Sequence, residues 1–165
     1  MKKNKHFIFV LVFIILLSGC TNLSGNNENA LTFYYYQPAE DSAKDVMGAE
    51  LYVPAETASD LHSILTAYLK GPQNTDLQLL FPKETKIVEL IEEGELLTVT
   101  LSKHCSTMSQ LDLSVSCSCL ARTLLSATSA TQICIQTEDG FINMEEPLIF
   151  TEDTIITQDT IHQHD

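Results

Sequence analysis

The chain has 165 residues, of which 44% are hydrophobic and 19% are charged, and its formal net charge is −13 at pH 7. Such an acidic chain is repelled by nucleic-acid phosphates and by anionic lipid. This argues against nucleic-acid binding and against a polybasic membrane contact. Roughly 120 residues lie between two polar ends, which is enough for one domain with a proper core and too few for two.

The N-terminus has the features of an export signal. Lys2, Lys3 and Lys5 form a basic start, and residues 7–17 are an uninterrupted apolar run. As a helix this run rises only about 16 Å, whereas a bilayer core is ~30 Å thick, so a stable membrane span is not expected. The length of the run fits the apolar region of a signal peptide.

The string Leu17-Ser18-Gly19-Cys20 ends that run and resembles a bacterial lipobox. In such signals the cysteine is acylated, for example with palmitate, and cleavage between Gly19 and Cys20 makes it the new N-terminus. We therefore expect a signal peptide over residues 1–19 and an extracytoplasmic protein anchored to the cell membrane through lipid on Cys20. The alternative is an ordinary export signal with an incidental cysteine. Loss of the signal leaves 6 basic and 22 acidic residues, a net charge of −16.

Two polar segments flank the predicted domain. Residues 20–30 contain four asparagines and one large apolar residue, a composition that suits a flexible linker from the anchor. Residues 151–165 form an acidic polar tail whose role the sequence leaves open. The domain is assigned to residues 31–150.

Two strands are predicted at the start of the domain. Residues 31–37 are aromatic and β-prone, and in residues 49–56 Pro54 predicts an edge position or a strand end. Residues 34–36 are three consecutive tyrosines. Alternation places at least one of them on the buried face with Phe33, and the tyrosines are also a candidate contact surface.

An amphipathic helix is predicted next. Thr57 and Asp60 have the spacing of a capping box, and Gly71-Pro72 is typical of a helix end. The apolar face of the helix comprises Leu61, Ile64, Leu65, Tyr68 and Leu69.

Residues 86–102 predict a β-hairpin with its turn at Gly94. Alternation predicts a buried face that comprises Leu97, Val99 and Leu101. Three carboxylates flank the turn and are expected to be solvated: Glu92, Glu93 and Glu95.

Helical spacing returns over residues 110–128, and residues 131–136 alternate as a strand. Ile133 and Ile135 share one face of that strand, whereas Cys134 points to the other. The order ββαββαβ predicts an α+β fold in which two helices pack on one face of a mostly antiparallel sheet. Apolar pairs at 148–149 and 155–156 are candidates for a last strand. The apolar stripe of the second helix comprises Leu113, Cys117, Leu120, Ala121 and Leu124.

The order of these elements and several short motifs together resemble the GerMN domain, a family named for sporulation and spore germination. The resemblance covers about residues 31–145, and residues 102–119 depart from it by being rich in serine and cysteine. The matching strings are ILTAYLKGP (64–72), LLFPKETKIVEL (79–90), LLTVTLS (96–102), LARTLLSATSATQICI (120–135) and EDG (138–140).

The resemblance implies a non-catalytic binding module with a fold similar to the ring-building motifs of sporulation channels. Its implied partners are other envelope or sporulation proteins, with self-association left open, in sporulation, germination or cell-envelope assembly. The family has no agreed ligand residues, so the resemblance implies none for this chain. The alternative function is a sensor of a small ligand or a cell-wall fragment at the membrane surface.

The sequence contains few patterns typical of a metal site or a catalytic site. Four cysteines follow Cys20, and with His62 and His104 they are the candidates for a metal site. Cys117 and Cys119 lie about 200° apart on a helix and there is no Cys-x-x-Cys pair, which argues against a metal. Disulfides are left open. No nucleophile motif or glycine-rich phosphate loop occurs, so we predict neither an enzyme nor a cofactor. The four cysteines are Cys105, Cys117, Cys119 and Cys134.

Overall fold

A computed structural model describes residues 30–38, 46–54, 60–140 and 147–155. The predictions for the signal peptide, Cys20 and nearly all of the linker therefore lie outside the described residues. The α+β prediction is confirmed, and a short last strand is added to the predicted order. The elements are β1 (Leu31–Tyr36), β2 (Met47–Tyr52), α1 (Leu61–Tyr68), β3 (Ile87–Glu93), β4 (Leu96–Leu101), a 3-10 helix (Lys103–Thr107), α2 (Gln110–Ala127), β5 (Gln132–Thr137) and β6 (Leu148–Phe150).

Helix α1 has a different N-cap from the one predicted. The Asp60 carboxylate caps the helix by accepting the Ser63 N–H at 2.9 Å. Thr57, the predicted cap, lies outside the described residues. At the other end Gly71 adopts a φ of +90°, a conformation that favours glycine, and the following proline cannot continue the helix. The predicted helix end is confirmed.

The predicted hairpin and its buried face are also confirmed. Gly94 lies in the turn between β3 and β4 with a φ of +64°. Strand β4 then pairs in parallel with β5, which pairs antiparallel with β6. Leu97, Val99, Ile133 and Ile135 are all buried against the core, as their alternation predicts.

The strands form two sheets rather than the single predicted sheet. One sheet contains β1 and β2, and the other has the order β3-β4-β5-β6. The second edge of β1 is occupied by helices, because the Tyr34 N–H donates to Thr123 Oγ1 at 2.9 Å and the Tyr68 hydroxyl donates to the Tyr34 carbonyl at 3.0 Å. These hydroxyl groups take the place that a neighbouring strand would fill.

Helix α2 contacts strands of both sheets, β1 on one side and β5 on the other. Every residue from Val115 to Ala121 is buried, so the middle of the helix is covered all round. Ser116 and Ser118 are among these buried residues, and neither hydroxyl group has a hydrogen-bond partner within the described residues.

An aromatic cluster fills the space between α1 and the β1–β2 sheet. Tyr35 stacks on Tyr68 with ring centroids 4.7 Å apart, and Phe33 stacks on Tyr52 at 4.5 Å. The Tyr35 hydroxyl donates to the Tyr68 carbonyl at 3.0 Å. The prediction that one of the three consecutive tyrosines joins Phe33 on the buried face is confirmed.

The chain after β6 returns to the core. Ile155 is 1% exposed and packs in the main apolar cluster. Glu152 forms an ion pair with Arg122 of α2, whose guanidinium lies 5.7 Å from the centre of the Tyr34 ring. The first residues of the segment assigned to the tail thus contact α2 and the core.

We expect Tyr68→Phe to lower the free energy of unfolding by about 1–3 kcal/mol, because it leaves the partly buried Tyr34 carbonyl without its donor. The ring and its stacking on Tyr35 are preserved. Urea denaturation measures the change. Tyr52→Phe is the matched control, since no hydrogen bond to the Tyr52 hydroxyl occurs among the described residues, and equal losses in both variants would contradict the assignment.

Candidate functional site

The structure does not bring the predicted metal candidates together. Cys105, Cys117, Cys119 and Cys134 are free thiols and all are buried. His62 and His104 are exposed, and His104 Nδ1 lies 3.2 Å from Ser102 Oγ. Across residues 30–38, 46–54, 60–140 and 147–155, no group of three His, Cys, Asp or Glu side chains could hold a metal ion.

Burial makes these thiols poor nucleophiles. Desolvation raises the pKa of Cys117 well above its ordinary range, with neighbouring thiols adding to the effect, and raises the pKa of Cys119 to about 12. Since the thiolate is the reactive form, these cysteines are inert at neutral pH. They serve as small packing residues on α2.

A cleft of about 390 Å³ lies between α1 and the segment that leads into β3. Three of its lining residues are the exposed lysines Lys70, Lys83 and Lys86. None of them forms an ion pair with a carboxylate in the part of the chain that the structure describes. The remaining lining residues are His62, Thr66, Leu69, Thr85 and Ile87.

The backbone on the β3 side of the cleft is held by hydrogen bonds. The Thr85 N–H donates to the Pro82 carbonyl at 2.9 Å, which closes a turn. The Lys86 N–H donates to Ser102 Oγ at 3.0 Å, and the Ser102 N–H donates back to the Lys86 carbonyl at 2.9 Å. This turn and this reciprocal pair fix the positions from which Lys83 and Lys86 project.

The outer edge of β2 is a second candidate surface. Ala49 is paired in register with Tyr34, and Leu51 with Thr32. The N–H and C=O groups of Tyr34 point away from β2, so Tyr34 and Ala49 form a pair without mutual hydrogen bonds. In such a pair both residues direct their backbone groups outward, and every second residue does the same. The N–H and C=O groups of Ala49 and Leu51 therefore point to the outer edge of β2. No described element pairs with that edge, and the Leu51 side chain is 74% exposed.

Sequence reasoning missed the lysine-lined cleft. A signal was present, since residues 70–86 contain three of the six basic residues that follow Cys20. The Pro-x-x-Thr-Lys motif before β3, which resembles that of GerMN domains, supplies Lys83, Thr85 and Lys86 to the lining, and Lys70 directly precedes the Gly-Pro pair. Their approach depends on how α1 packs, which spacing alone does not show.

The described elements define a small α+β domain with two sheets joined by a central helix, and solved structures share this architecture. The first GerMN domain of the sporulation protein GerM from Bacillus subtilis matches with a TM-score of 0.56 and 14% identity, over 74% of this chain and 98% of that domain. The tandem GerMN domains of GerM match with a TM-score of 0.55 and 16% identity, over 72% of this chain and 43% of theirs. The chain therefore has a GerMN-like fold, as the sequence motifs predict.

A protein from Clostridium perfringens that is provisionally named a lipoprotein also matches. Its TM-score is 0.50 at 17% identity, over 78% of this chain and 91% of that one. No family model and no curated protein matches the sequence. Within the described ranges, no helix has both the length and the apolarity needed to cross a membrane.

We expect the free energy of unfolding to fall as pH rises above about 8.5, where thiols of the unfolded chain begin to ionise. The folded pKa values are raised, so the folded chain keeps its thiol protons up to about pH 12 at Cys119 while the unfolded chain loses them. This contribution to stability is complete below pH 8.5 and declines above it. Urea denaturation at several pH values measures it. Cys117→Ala with Cys119→Ala should flatten the slope, and an unchanged slope in that variant would contradict the assignment.

Proposed function

We propose that the protein is a lipid-anchored, extracytoplasmic module that binds other envelope proteins and catalyses no reaction, in sporulation, germination or cell-envelope assembly. The GerMN-like fold is the observation that carries this proposal. The lipobox at Cys20 and the names of the structural neighbours, a sporulation protein and a provisional lipoprotein, support it.

The outer edge of β2 is the surface we assign to partner binding. A strand edge with free backbone donors and acceptors is a template for an added strand from a partner protein. Exposed Leu51 adds an apolar contact beside that edge. Net charge keeps copies of this acidic chain apart, which favours an envelope partner of lower or opposite charge over unassisted self-association.

A second function, a sensor of a small ligand or wall fragment at the membrane surface, is favoured by the lysine-lined cleft. A sensor needs a pocket of suitable size, and a cleft of about 390 Å³ meets that need. The two functions use different surfaces, so variants at the β2 edge and in the cleft separate them.

Cys20→Ala tests the anchor. Without the acceptor thiol no acyl chain is attached, and the affinity that buried methylenes supply, about 0.8 kcal/mol each, is lost. We expect the variant to leave the membrane fraction of its host when cells are fractionated and immunoblotted. Cys134→Ala, which removes a different cysteine, is the control and should stay with the membrane. Continued tight membrane association of Cys20→Ala would overturn the lipobox assignment.

Leu51→Lys tests the docking edge, because a lysine on an edge strand discourages strand addition. Cross-linking of the membrane-anchored protein in growing and in starved cells, followed by mass spectrometry, should recover specific envelope proteins with the unaltered chain and lose them with the variant. Leu111→Lys is the matched control, since Leu111 is 73% exposed against 74% for Leu51. Equal recovery with both variants would rule out the β2 edge.

A further inference from the structure

We propose that the cleft between α1 and the β3 approach binds a small organic ligand that carries at least two phosphate charges. The proposal rests on the second function above and deepens it, because it names the class of ligand for the same cleft. It is independent of partner binding at the β2 edge, since the cleft and that edge lie on different elements. Lys70, Lys83 and Lys86 supply the positive charge.

The cleft is lined by positive charge although the molecule as a whole is acidic. After Cys20 the chain carries 22 acidic and only 6 basic residues, yet three of the six line one cleft. With so many carboxylates available, lysines that served only to balance charge would be expected beside them. None of the three is ion-paired in the described part of the chain.

Lys70 is also not needed as a hydrogen-bond donor to three carbonyl groups at the end of α1. The carbonyl groups there already accept backbone hydrogen bonds at 3.0–3.1 Å from the residues that follow the helix. The Lys70 ammonium group is therefore free to meet a ligand. The acceptors are the carbonyls of Leu65, Ala67 and Tyr68, and the donors are the N–H groups of Leu69, Lys70 and Gly71.

The form of the cleft suits a small organic molecule. Its volume of about 390 Å³ lies within the usual range for ligand sites, roughly 300–1,000 Å³. Leu69 and Ile87 supply apolar surface for the carbon skeleton, and the lysines lie around it. The fixed backbone at Lys86 reduces the ordering cost on binding.

The residue type favours phosphate over carboxylate. Arginine presents a planar fork that matches a carboxylate, whereas lysine is a compact charge with three donors that meets a tetrahedral oxyanion from any side. The cleft contains three lysines and no arginine. Phosphate groups of this kind occur both on soluble compounds and on lipid headgroups, and the test separates these sources.

The probe is inorganic pyrophosphate, titrated calorimetrically into the full-length protein in micelles of a neutral detergent. We expect saturable binding of one pyrophosphate per chain. Lys83→Gln and Lys86→Gln should each weaken it by roughly tenfold, since each removes a charge-assisted contact. Lys103→Gln is the matched control. It removes the same charge from an exposed lysine outside the cleft lining and should leave the affinity within about twofold.

Three outcomes would overturn the proposal. These are absence of saturable binding, equal weakening by all three variants, or pyrophosphate affinity equal to that for sulfate. Since the substituted lysines are exposed, thermal denaturation should show unchanged folding. If Lys86→Gln unfolds, Lys70→Gln replaces it.

A second experiment identifies the source of the phosphate. Binding to vesicles of a neutral lipid that contain phosphatidic acid, if lost in Lys83→Gln, would support the site and assign the phosphate to a lipid. Leu51→Lys should lose its captured partner proteins and still bind pyrophosphate. That result would show that the cleft and the proposed docking edge act independently.

Discussion

The rest of the structure depends on how the backbone N–H and C=O groups of Tyr34 obtain hydrogen bonds. Two side-chain hydroxyl groups on the helices supply them. A two-stranded sheet is marginal in water, and the second edge of β1 needs hydrogen-bond partners if it is to enter a core. Thr123 of α2 and Tyr68 of α1 supply those partners. Because the partners lie on helices, β1 can pack beside α2 without joining the larger sheet. One core then forms from two sheets that share no strand pairing.

This arrangement explains the composition of α2. A helix between two sheets has no solvent side at its centre, so small residues are needed wherever another element comes close. Serine and cysteine meet that need, and Cys117 and Cys119 are both buried although they lie on different sides of the helix. The same burial that gives them a packing role removes their reactivity. The features that suggested metal or disulfide chemistry are thus explained by packing.

Because α2 is buried between the two sheets, the surfaces that could bind a ligand or partner are formed by outer elements, namely α1, the approach to β3 and strand β2. Helix α1 turns its apolar face inward and contributes His62 and Thr66 to the lining of the cleft, while β2 carries a free strand edge. Both rest on backbone held by hydrogen bonds or sheet pairing. A GerMN-like fold does not by itself specify a ligand, and the particular side chains at these two places decide what is bound.

The sequence by itself determined what depends on neighbours along the chain. Periodicity located both helices and the buried faces of β4 and β5, and a glycine marked the turn at Gly94, because these features follow from local geometry. The GerMN-like fold was indicated separately, by the resemblance of ordered motifs to a known family. The tertiary structure alone decided the division into two sheets, the burial of α2 on all sides and the gathering of Lys70, Lys83 and Lys86 around one cleft. Those features depend on contacts between residues far apart in the chain, for which residue spacing carries no signal. Tyr34 and Thr123 show the limit well, since nothing in either local sequence indicates that a helix hydroxyl would complete the edge of a strand.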